Sequence, residues 1–279
     1  MTFLFRINYL WYMKVAIVCV AKRENKYINE WVEHHLSIGF DNIIICDNND
    51  TGTEKISDVV NNDKVIILDY ANVPRIQPLA YTECYFKFRN DYDWIAFIDC
   101  DEFIMLDTKY NDIKQFLSEE PFASSDVVKL CWKIFTDCEK LDVENGDYSI
   151  VNRFKDKIPI DDKMSKSIIN TRLECKEGKI RGHGYDEANG EKVYTVNSSG
   201  IRCGNGGSSC LKNSYENAWI NHYPTKTIGE FIRQKYIRGG PNGNDCKYAS
   251  LSYFFMFNKK TKEKEDYANK LINEISRRN

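Results

Sequence analysis

The first hundred residues alternate short apolar runs with amphipathic or polar stretches. Four of these runs are typical of buried strands: residues 14–21, 42–47, 64–69 and 94–98. Apolar residues recur at i, i+3, i+4 and i+7 from Ile28, which predicts a helix over residues 26–38 that Gly39 ends. Further helices are predicted over residues 54–60 and 78–89. Strands that are apolar throughout and alternate with helices indicate a parallel sheet covered on both faces.

The pattern is weaker after Asp101. The elements predicted there are a helix over 112–118, a strand over 126–135, a strand over 219–223, a helix over 227–237 and an amphipathic helix over 259–278. Residues 136–218 are polar and contain many glycines, and long loops of this kind often carry a substrate site. No GxGxxG motif follows the first strand, which disfavours a dinucleotide cofactor.

These elements predict an α/β fold with a Rossmann-like, mostly parallel sheet flanked by helices. A loop-rich region and C-terminal helices complete it. The predicted division is one domain over residues 14–240, whose halves are 14–105 and 106–240, followed by a helical extension over 241–279.

Composition narrows the function classes. The chain has 279 residues, with 39 Lys and Arg against 41 Asp and Glu, so no basic surplus favours nucleic acid as a partner. Its ten cysteines show no zinc spacing, which favours reduced thiols in a cytoplasmic protein. Residues 1–12 are apolar but too short to span a bilayer. They are either an over-extended reading frame before Met13 or a short anchor at the inner face of a membrane.

Acidic residues follow the fourth apolar run directly. Asp99 and Asp101 come after residues 94–98, and the carboxyl edge of an open α/β sheet is where ligands bind. Two aspartates at i and i+2 suit one divalent cation, which can hold a diphosphate. An acid-rich surface turn is the alternative interpretation. Because residues 22–25 and 47–50 end the first two strands at the same edge, a binding site is favoured.

A series of motifs then occurs in a familiar order. They are residues 22–27 (KRENKY), 30–35 (EWVEHH), 39–40 (GF), 46–48 (CDN), 77, 80–84 (AYTEC), 94–103 (WIAFIDCDEF), 132–135 (WKIF), 163–168 (KMSKSI), 220–223 (INHY), 226–227 (KT), 235 and 238–239 (RG). With these motifs the chain resembles GT-A glycosyltransferases of the family 2 type, and in pattern it is most similar to the family 92 and DUF23-like enzymes. The resemblance spans about residues 14–240. Thr136 and Asp137 depart from it, since small residues commonly follow the WxxF element.

The resemblance implies a metal-dependent transferase that uses Mn²⁺ or Mg²⁺ and moves a hexose from a nucleoside diphosphate sugar, UDP-sugar favoured, with inversion. Asp99 and Asp101 match the DxD pair, with Asp101 the direct metal ligand. His222, which follows a predicted strand, is a candidate third contact to the metal or diphosphate, because neutral imidazole suits Mn²⁺-like ions. The residues predicted to bind the nucleotide sugar are Lys22, Glu24, Asp47, Asn48, Gln77, Asp99, Lys166 and Lys226.

The acceptor side is less defined by the sequence. A positioned base must remove the proton of the acceptor hydroxyl, and carboxylates serve a similar oxocarbenium-like centre in glycoside hydrolysis. The candidates for this catalytic base are Asp186, Glu187 and Asp137. Trp132 and His183 are predicted acceptor contacts. The expected acceptor is a glycan or a lipid-linked sugar, in surface polysaccharide synthesis.

Two other functions remain open from the sequence. A nucleotidyltransferase also gathers acids on a parallel sheet, but it usually needs a glycine-rich loop after the first strand, and residues 22–24 contain no glycine. A non-catalytic protein would bind a sugar nucleotide or glycan without consuming it. Among the histidines, His35 is predicted to lie in the core and His34 to be solvated.

Overall fold

The computed structural model describes residues 13–158, 164–176, 180–181, 183–185, 193–203, 214–237 and 250–277. The predicted start or anchor in residues 1–12 lies outside them. The chain forms two compact units. The first comprises Met1–Trp132 and Asp161–Asn221, and the second comprises Lys133–Ile160 and His222–Asn279. The division at 105 and 240 stays a prediction, and the boundary at 240 lies outside the described residues.

The first unit is built on one large sheet with a small separate hairpin. The strands are β1 (Val15–Ala21), β2 (Asn42–Asp47), β3 (Val65–Asp69), β4 (Trp94–Phe97), β5 (Glu102–Leu106), β6 (Val127–Ile134), β7 (Ser165–Asn170), β8 (Ile180–Arg181), β9 (Gly184–Tyr185), β10 (Thr195–Asn197) and β11 (Ala218–His222). The sheet order is β3-β2-β1-β4-β7-β6-β11-β5, with β10 beside β6, and β8 pairs with β9. The last residues of β6 and β11 belong to the second unit.

Helices accompany the strands in both units. Those of the first unit are α1 (Ile28–Ser37), a 3₁₀ turn (Ile56–Asp58), α2 (Ile76–Phe88) and α3 (Ile113–Ser118). Those of the second unit are α4 (Ile150–Arg153), α5 (Ile228–Phe231) with its π-helical continuation (Ile232–Tyr236), α6 (Leu251–Phe257) and α7 (Lys262–Ser276). None of the helices in the described part of the chain is long and apolar enough to cross a bilayer.

Helix α1 forms where the apolar spacing predicts it. Ile28, Trp31 and His35 are buried on one face of this helix, against the sheet. Gly39 ends the helix with a φ of +97°, and a Cβ atom there would lie 2.7 Å from Cβ of Asp112. The residue must therefore be glycine, both for its backbone conformation and for the close approach of the segment that begins α3.

The sheet differs from the prediction at its centre. Strands β1 to β4 are parallel, but β7 lies antiparallel between β4 and β6. All six residues of β7 are buried, although Ser165, Lys166 and Ser167 are polar. The sequence pattern gives no apolar run there because side-chain hydrogen bonds and ion pairs, not apolar packing, satisfy these positions. The mostly parallel, helix-flanked α/β sheet is nevertheless confirmed.

The second unit has its own apolar core. Ile228, Phe231 and Phe254 are fully buried in it, together with Ala268 of α7. A capping box between Thr227 and Glu230 starts α5. Glu230 also accepts two hydrogen bonds from the Arg153 guanidinium, at 2.9 and 2.7 Å. This pair is buried and bidentate, so it fixes α4 against α5.

Candidate active site

The acidic motif forms a tight turn at the carboxyl end of β4. Within this turn the backbone N–H of Glu102 donates to the carbonyl oxygen of Asp99 at 3.1 Å. In return the backbone N–H of Asp99 donates to Oε2 of Glu102 at 3.0 Å. The chain then continues as β5, which is the last strand in the sheet order, at the end opposite β3. The two predicted aspartates, Asp99 and Asp101, therefore sit on a turn whose backbone is held by its own third acid.

Asp99 is held by side chains from two other elements. Gln77 of α2 donates its Nε2–H to Oδ1 at 2.5 Å, and the Tyr81 hydroxyl lies 3.4 Å from the same oxygen. Lys166 of β7 donates from Nζ to Oδ2 at 2.7 Å. The structure thus brings together three residues predicted from separate motifs, Gln77, Asp99 and Lys166. These three residues are directly connected, because Gln77 and Lys166 both donate to the carboxylate of Asp99.

Lys166 is an internal cation. Its side chain is 2% exposed, and its Nζ also lies 3.7 Å from Oε1 of Glu102. Burial acts to lower the pKa of Lys166, but the charges of Asp99 and Glu102 outweigh it and raise the pKa above its usual value. The ammonium is therefore the charged counter-ion of this acid cluster.

Glu102 was not singled out as a donor or metal residue from the sequence. Its side chain is fully buried, and Oε1 accepts no hydrogen bond within the described residues. Burial raises the pKa of Glu102 well above its usual value, against the attraction of Lys166. The sequence feature that points to Glu102 is its position directly after the DxD pair, at the start of β5.

Helix α1 fixes the strand that follows the turn. Trp31 donates its indole N–H to the carbonyl oxygen of Glu102 at 2.7 Å. The backbone N–H of Ile104 donates to Nε2 of His35 at 3.2 Å, and Nε2 of His34 lies 2.7 Å from the Ile104 carbonyl oxygen. The prediction that His35 is a core residue is confirmed by its full burial. The prediction that His34 is solvated is wrong, because this contact to β5 leaves the ring half-buried.

Trp132 and His183 extend the cluster. Their ring centroids lie 5.4 Å apart, and Nζ of Lys166 lies 5.9 Å from the centroid of the Trp132 ring. The tryptophan follows Leu130 by two positions on β6, and Leu130 is the register partner of Lys166. The side chains of Trp132, Leu130 and Lys166 therefore lie on the same face of the sheet. The two predicted acceptor contacts thus adjoin the predicted donor contacts.

The loops after β1 and β2 are tied to each other by Asn49. Its Oδ1 accepts from the backbone N–H of Arg23 at 2.7 Å, and its Nδ2 donates to Oδ1 of Asn25 at 2.9 Å and to the Glu54 carbonyl oxygen at 3.0 Å. Arg23 itself has a left-handed φ of +61°. Lys22 pairs with Asp50 at 2.6 Å across the same two loops. The polar ends of the strands thus form one connected surface.

The predicted nucleotide contacts in these loops also support the backbone. Asp47 accepts backbone N–H groups at both oxygens, from Asn49 at 3.0 Å and from Ile56 at 2.8 Å. Asn48 donates to the carbonyl oxygens of Tyr70 and Val73. Glu24 is buried, and its backbone carbonyl oxygen accepts the N–H groups of Tyr27 and Ile28, where α1 begins. The side chains of Asp47 and Asn48 and the backbone of Glu24 therefore support the loops after β1 and β2.

The remaining predicted residues belong to the second unit or lie outside the described residues. His222, Lys226 and Asp137 belong to the second unit. Lys226 is buried and donates to Oε1 of Gln234 at 3.3 Å, and His222 is buried at the end of β11. Asp186 and Glu187 lie outside the described residues.

The contacts of Asp137 stabilise the second unit. Its Oδ2 lies 2.6 Å from Nζ of Lys264, and both side chains are buried. Its backbone N–H donates to Oδ1 of Asn258 at 2.7 Å, and its Oδ1 accepts from the backbone of Glu139. Burial raises the pKa of Asp137 above its usual value in spite of the ion pair with Lys264. The contacts of this side chain are those of an anchor for α7.

The acid cluster can be compared with what a divalent cation needs. Among the described residues, no three His, Cys, Asp or Glu side chains converge as a ligand group. Both oxygens of Asp99 accept hydrogen bonds, and Asp101 is buried on the same turn. Mg²⁺-type ions are commonly held by one or two carboxylates together with substrate phosphates and water. The oxygen donors of Asp101 and Asp99 fit that kind of site.

The polar loops after β1, β2 and β4 lie at the carboxyl ends of these strands, which is where open α/β sheets generally bind their ligands. The model of the family named Glycosyltransferase family 92 matches residues 14–173. The chain therefore belongs to glycosyltransferase family 92.

Two curated relatives carry the same family name. A family 92 protein of Oryza sativa subsp. japonica, Os08g0121900, is 28% identical over 104 residues, which are 36% of this chain and 18% of the rice protein. A family 92 protein of Ricinus communis, RCOM_0530710, is 27% identical over 103 residues, 35% of this chain and 18% of that protein. The chain thus matches less than a fifth of the length of either relative. Among solved structures, S. aureus TarS 1-349 is 13% identical, covering 94% of this chain and 71% of TarS 1-349 with a TM-score of 0.40.

Proposed function

We propose that this chain transfers a hexose from a nucleoside diphosphate sugar, with a UDP-sugar as the favoured donor, to a glycan or lipid-linked acceptor. Two observations support it: membership of family 92, and the cluster of Asp99, Glu102 and Lys166 at the carboxyl end of β4. The cluster carries the proposal, because it combines oxygen ligands for a cation with a fixed positive charge. Divalent cations and basic side chains are both groups that recognise diphosphates.

The proposed reaction is a substitution at the anomeric carbon with inversion. The acceptor oxygen forms the new bond to this carbon while the bond from the carbon to the diphosphate breaks. The electron pair of the broken bond goes to the diphosphate, and the proton of the acceptor hydroxyl goes to a base on the opposite side of the sugar. Groups that stabilise the growing negative charge on the diphosphate accelerate this step.

A bound Mn²⁺ or Mg²⁺ would supply Lewis-acid stabilisation of that charge. In this proposal Asp101 is the direct protein ligand. Asp99, positioned by Gln77 and Lys166, faces the donor from the same turn. The loops that Asn49 ties together, with Lys22, Glu24, Asp47 and Asn48, cradle the nucleotide. His222 and Lys226 stay predictions for the metal and the donor.

On the acceptor side, Trp132 offers an aromatic face for the acceptor sugar, beside His183. Asp186 and Glu187 stay the predicted candidates for the base. The buried ion pair of Asp137 with Lys264 disfavours Asp137 for that role, since a base must reach the acceptor hydroxyl. The proposed setting is surface polysaccharide synthesis in the cytoplasm, with peripheral contact to the inner face of a membrane.

A thermal-shift panel of nucleoside diphosphate sugars, each with and without Mn²⁺, tests the donor. A ligand at 100 times its dissociation constant stabilises the folded protein by about 2.7 kcal/mol. We expect a UDP-sugar with Mn²⁺ to stabilise the protein most, and release of UDP to follow on addition of an acceptor glycan. A nucleotidyltransferase would instead release pyrophosphate from a nucleoside triphosphate. A binding protein would be stabilised by the donor but would release no UDP.

A further inference from the structure

We propose that Cys46 and Cys84 form a dithiol site that hydrogen peroxide converts into a disulfide. Cys46 lies on β2 and Cys84 on α2, both in the first unit, and both are free thiols in the structure. They are 38 positions apart in the chain. Neither residue belongs to the proposed donor or acceptor contacts, so the site is independent of the proposed function.

The contact between the two sulfurs carries the first step. Sγ of Cys46 and Sγ of Cys84 lie 3.6 Å apart, in hydrogen-bond contact. A disulfide places its sulfurs about 2.05 Å apart, so an approach of about 1.5 Å joins them. Strand β2 is held by parallel pairing with β1 and β3, and both cysteines pack in one apolar cluster. Folding therefore keeps together two thiols that an unfolded chain would have to bring together against its entropy.

A groove between β3 and α2 carries the second step, because Cys84 lies in its wall. The groove has a volume of about 690 Å³, and Leu68, Leu79 and Phe86 also line it. Leu79 is 49% exposed and Phe86 is 40% exposed, so the groove opens to solvent. Cys84 itself is 1% exposed, and Cys46 is fully buried. Since burying a charge is costly, an oxidant that reaches Cys84 has to be small and uncharged, as hydrogen peroxide is.

The two thiols have different roles in the proposed reaction. The hydrogen bond with Cys84 and burial raise the pKa of the Cys46 thiol well above its usual value. Cys46 therefore stays protonated and is not the sulfur that meets the oxidant first. Cys84 takes that role, because it is the member of the pair that the groove reaches.

The reaction has two steps. The sulfur of Cys84 attacks one oxygen of the peroxide, the O–O bond breaks, and a sulfenic acid and one water form. The sulfur of Cys46 then attacks the sulfur of Cys84, and the S–O bond breaks. The proton of the Cys46 thiol leaves with the hydroxide as a second water. Two thiols are thus oxidised to one disulfide while the peroxide is reduced to two waters.

The disulfide would join two elements that carry predicted donor contacts. Cys46 directly precedes Asp47 and Asn48 at the end of β2, and Cys84 lies on the helix that carries Gln77. The site is therefore a peroxide-sensitive covalent link between the strand and the helix behind these contacts.

The test treats the folded wild-type protein with hydrogen peroxide, alkylates the remaining thiols and identifies linked peptides by mass spectrometry. We expect a linked pair of peptides that contains Cys46 and Cys84, lighter by two hydrogen atoms than the two reduced peptides, which dithiothreitol separates again. Because folding holds the sulfurs in contact, this link should be at least about tenfold more abundant than in protein oxidised in urea.

Three variants test the assigned roles. In Cys46→Ala the sulfenic acid of Cys84 has no resolving thiol, so dimedone should label Cys84. In Cys84→Ala the buried Cys46 should remain a thiol and take no dimedone. Cys131→Ala is the matched control, because Cys131 is another fully buried strand cysteine. It should form the link between Cys46 and Cys84 as wild type does.

Three results would overturn the inference. The first is a folded wild-type protein in which both cysteines are still thiols after peroxide treatment, or in which the link is no more abundant than in urea. The second is dimedone labelling of Cys46 in Cys84→Ala, which would reverse the roles. The third is loss of the link in Cys131→Ala, since the reaction would then depend on a thiol outside the pair. None of these results affects the proposed function, because the test contains no nucleotide or sugar.

Discussion

Lys264 and Asp137 form a buried ion pair, with Nζ 2.6 Å from Oδ2. Lys264 lies on α7 and Asp137 follows β6, so the pair joins two segments of the second unit that are far apart in sequence. A buried charge that loses its partner is strongly destabilising, whereas replacing both partners is often tolerated. The pair thus makes a prediction that separates structure from catalysis.

Asp137→Asn should destabilise the protein by about 3 kcal/mol, since it leaves the charge of Lys264 buried with weaker partners. The double variant Asp137→Asn/Lys264→Met should recover most of that loss. Chemical denaturation measures both free energies of unfolding. Turnover of the double variant should be close to wild type. If stability returns and turnover does not, Asp137 is a catalytic residue after all.

Asn49 should matter for both folding and nucleotide binding. Asn49→Ala removes the acceptor of the Arg23 N–H and the donor to Asn25 and Glu54. Losing buried hydrogen-bond partners of this kind costs about 1–3 kcal/mol. We expect that loss in the free energy of unfolding, and a larger loss of UDP affinity than of turnover at saturating donor, measured by calorimetry and steady-state kinetics. A wild-type free energy of unfolding and a wild-type UDP affinity in Asn49→Ala would contradict this role.

Asp101→Asn should abolish the Mn²⁺-dependent part of donor binding. The neutral amide keeps the size of the side chain but loses the charge that the proposed cation needs. We expect turnover to fall by at least about a hundredfold, with little change in melting temperature. Asp69→Asn is the control, because Asp69 is an exposed acid at the end of β3, with its side chain 64% exposed. Wild-type turnover in Asp101→Asn would falsify the metal role.

His35 should make stability depend on pH. Burial lowers its pKa well below the usual value, with a further contribution from His34. Below about pH 6.5 the unfolded chain gains a proton at this position that the folded protein does not. The contribution of His35 to the unfolding free energy should therefore be fully present above pH 6.5. It should be lost as the pH decreases below that value, by up to about 1.4 kcal/mol per pH unit.

Glutamine cannot titrate, so comparison with His35→Gln isolates this contribution. The difference in unfolding free energy between wild type and His35→Gln should shrink as the pH falls from 7.5 to 5.5. Urea denaturation at several pH values measures it. A difference that stays constant over this range would show that His35 is not the titrating group.

The sequence predicted the elements whose evidence is local. The apolar runs locate β1 to β4, β6 and β11 to within about two residues, and the spacing from Ile28 locates α1. Since parallel strands end at one edge, the same runs also place Asp47 and Asp99 at the carboxyl edge of the sheet. A local pattern carries this information because strand and helix periods are fixed by backbone geometry.

The tertiary structure decided which of those residues meet and what each does. Lys166 reaches Asp99 across 67 positions of sequence, because β7 inserts antiparallel between β4 and β6. Asp137 lies in a buried pair with a lysine of the last helix. Neither contact leaves a local pattern, since the polar residues that make them interrupt the apolar periodicity. Their partners are set by chain topology and by the energetic need to neutralise charges removed from water.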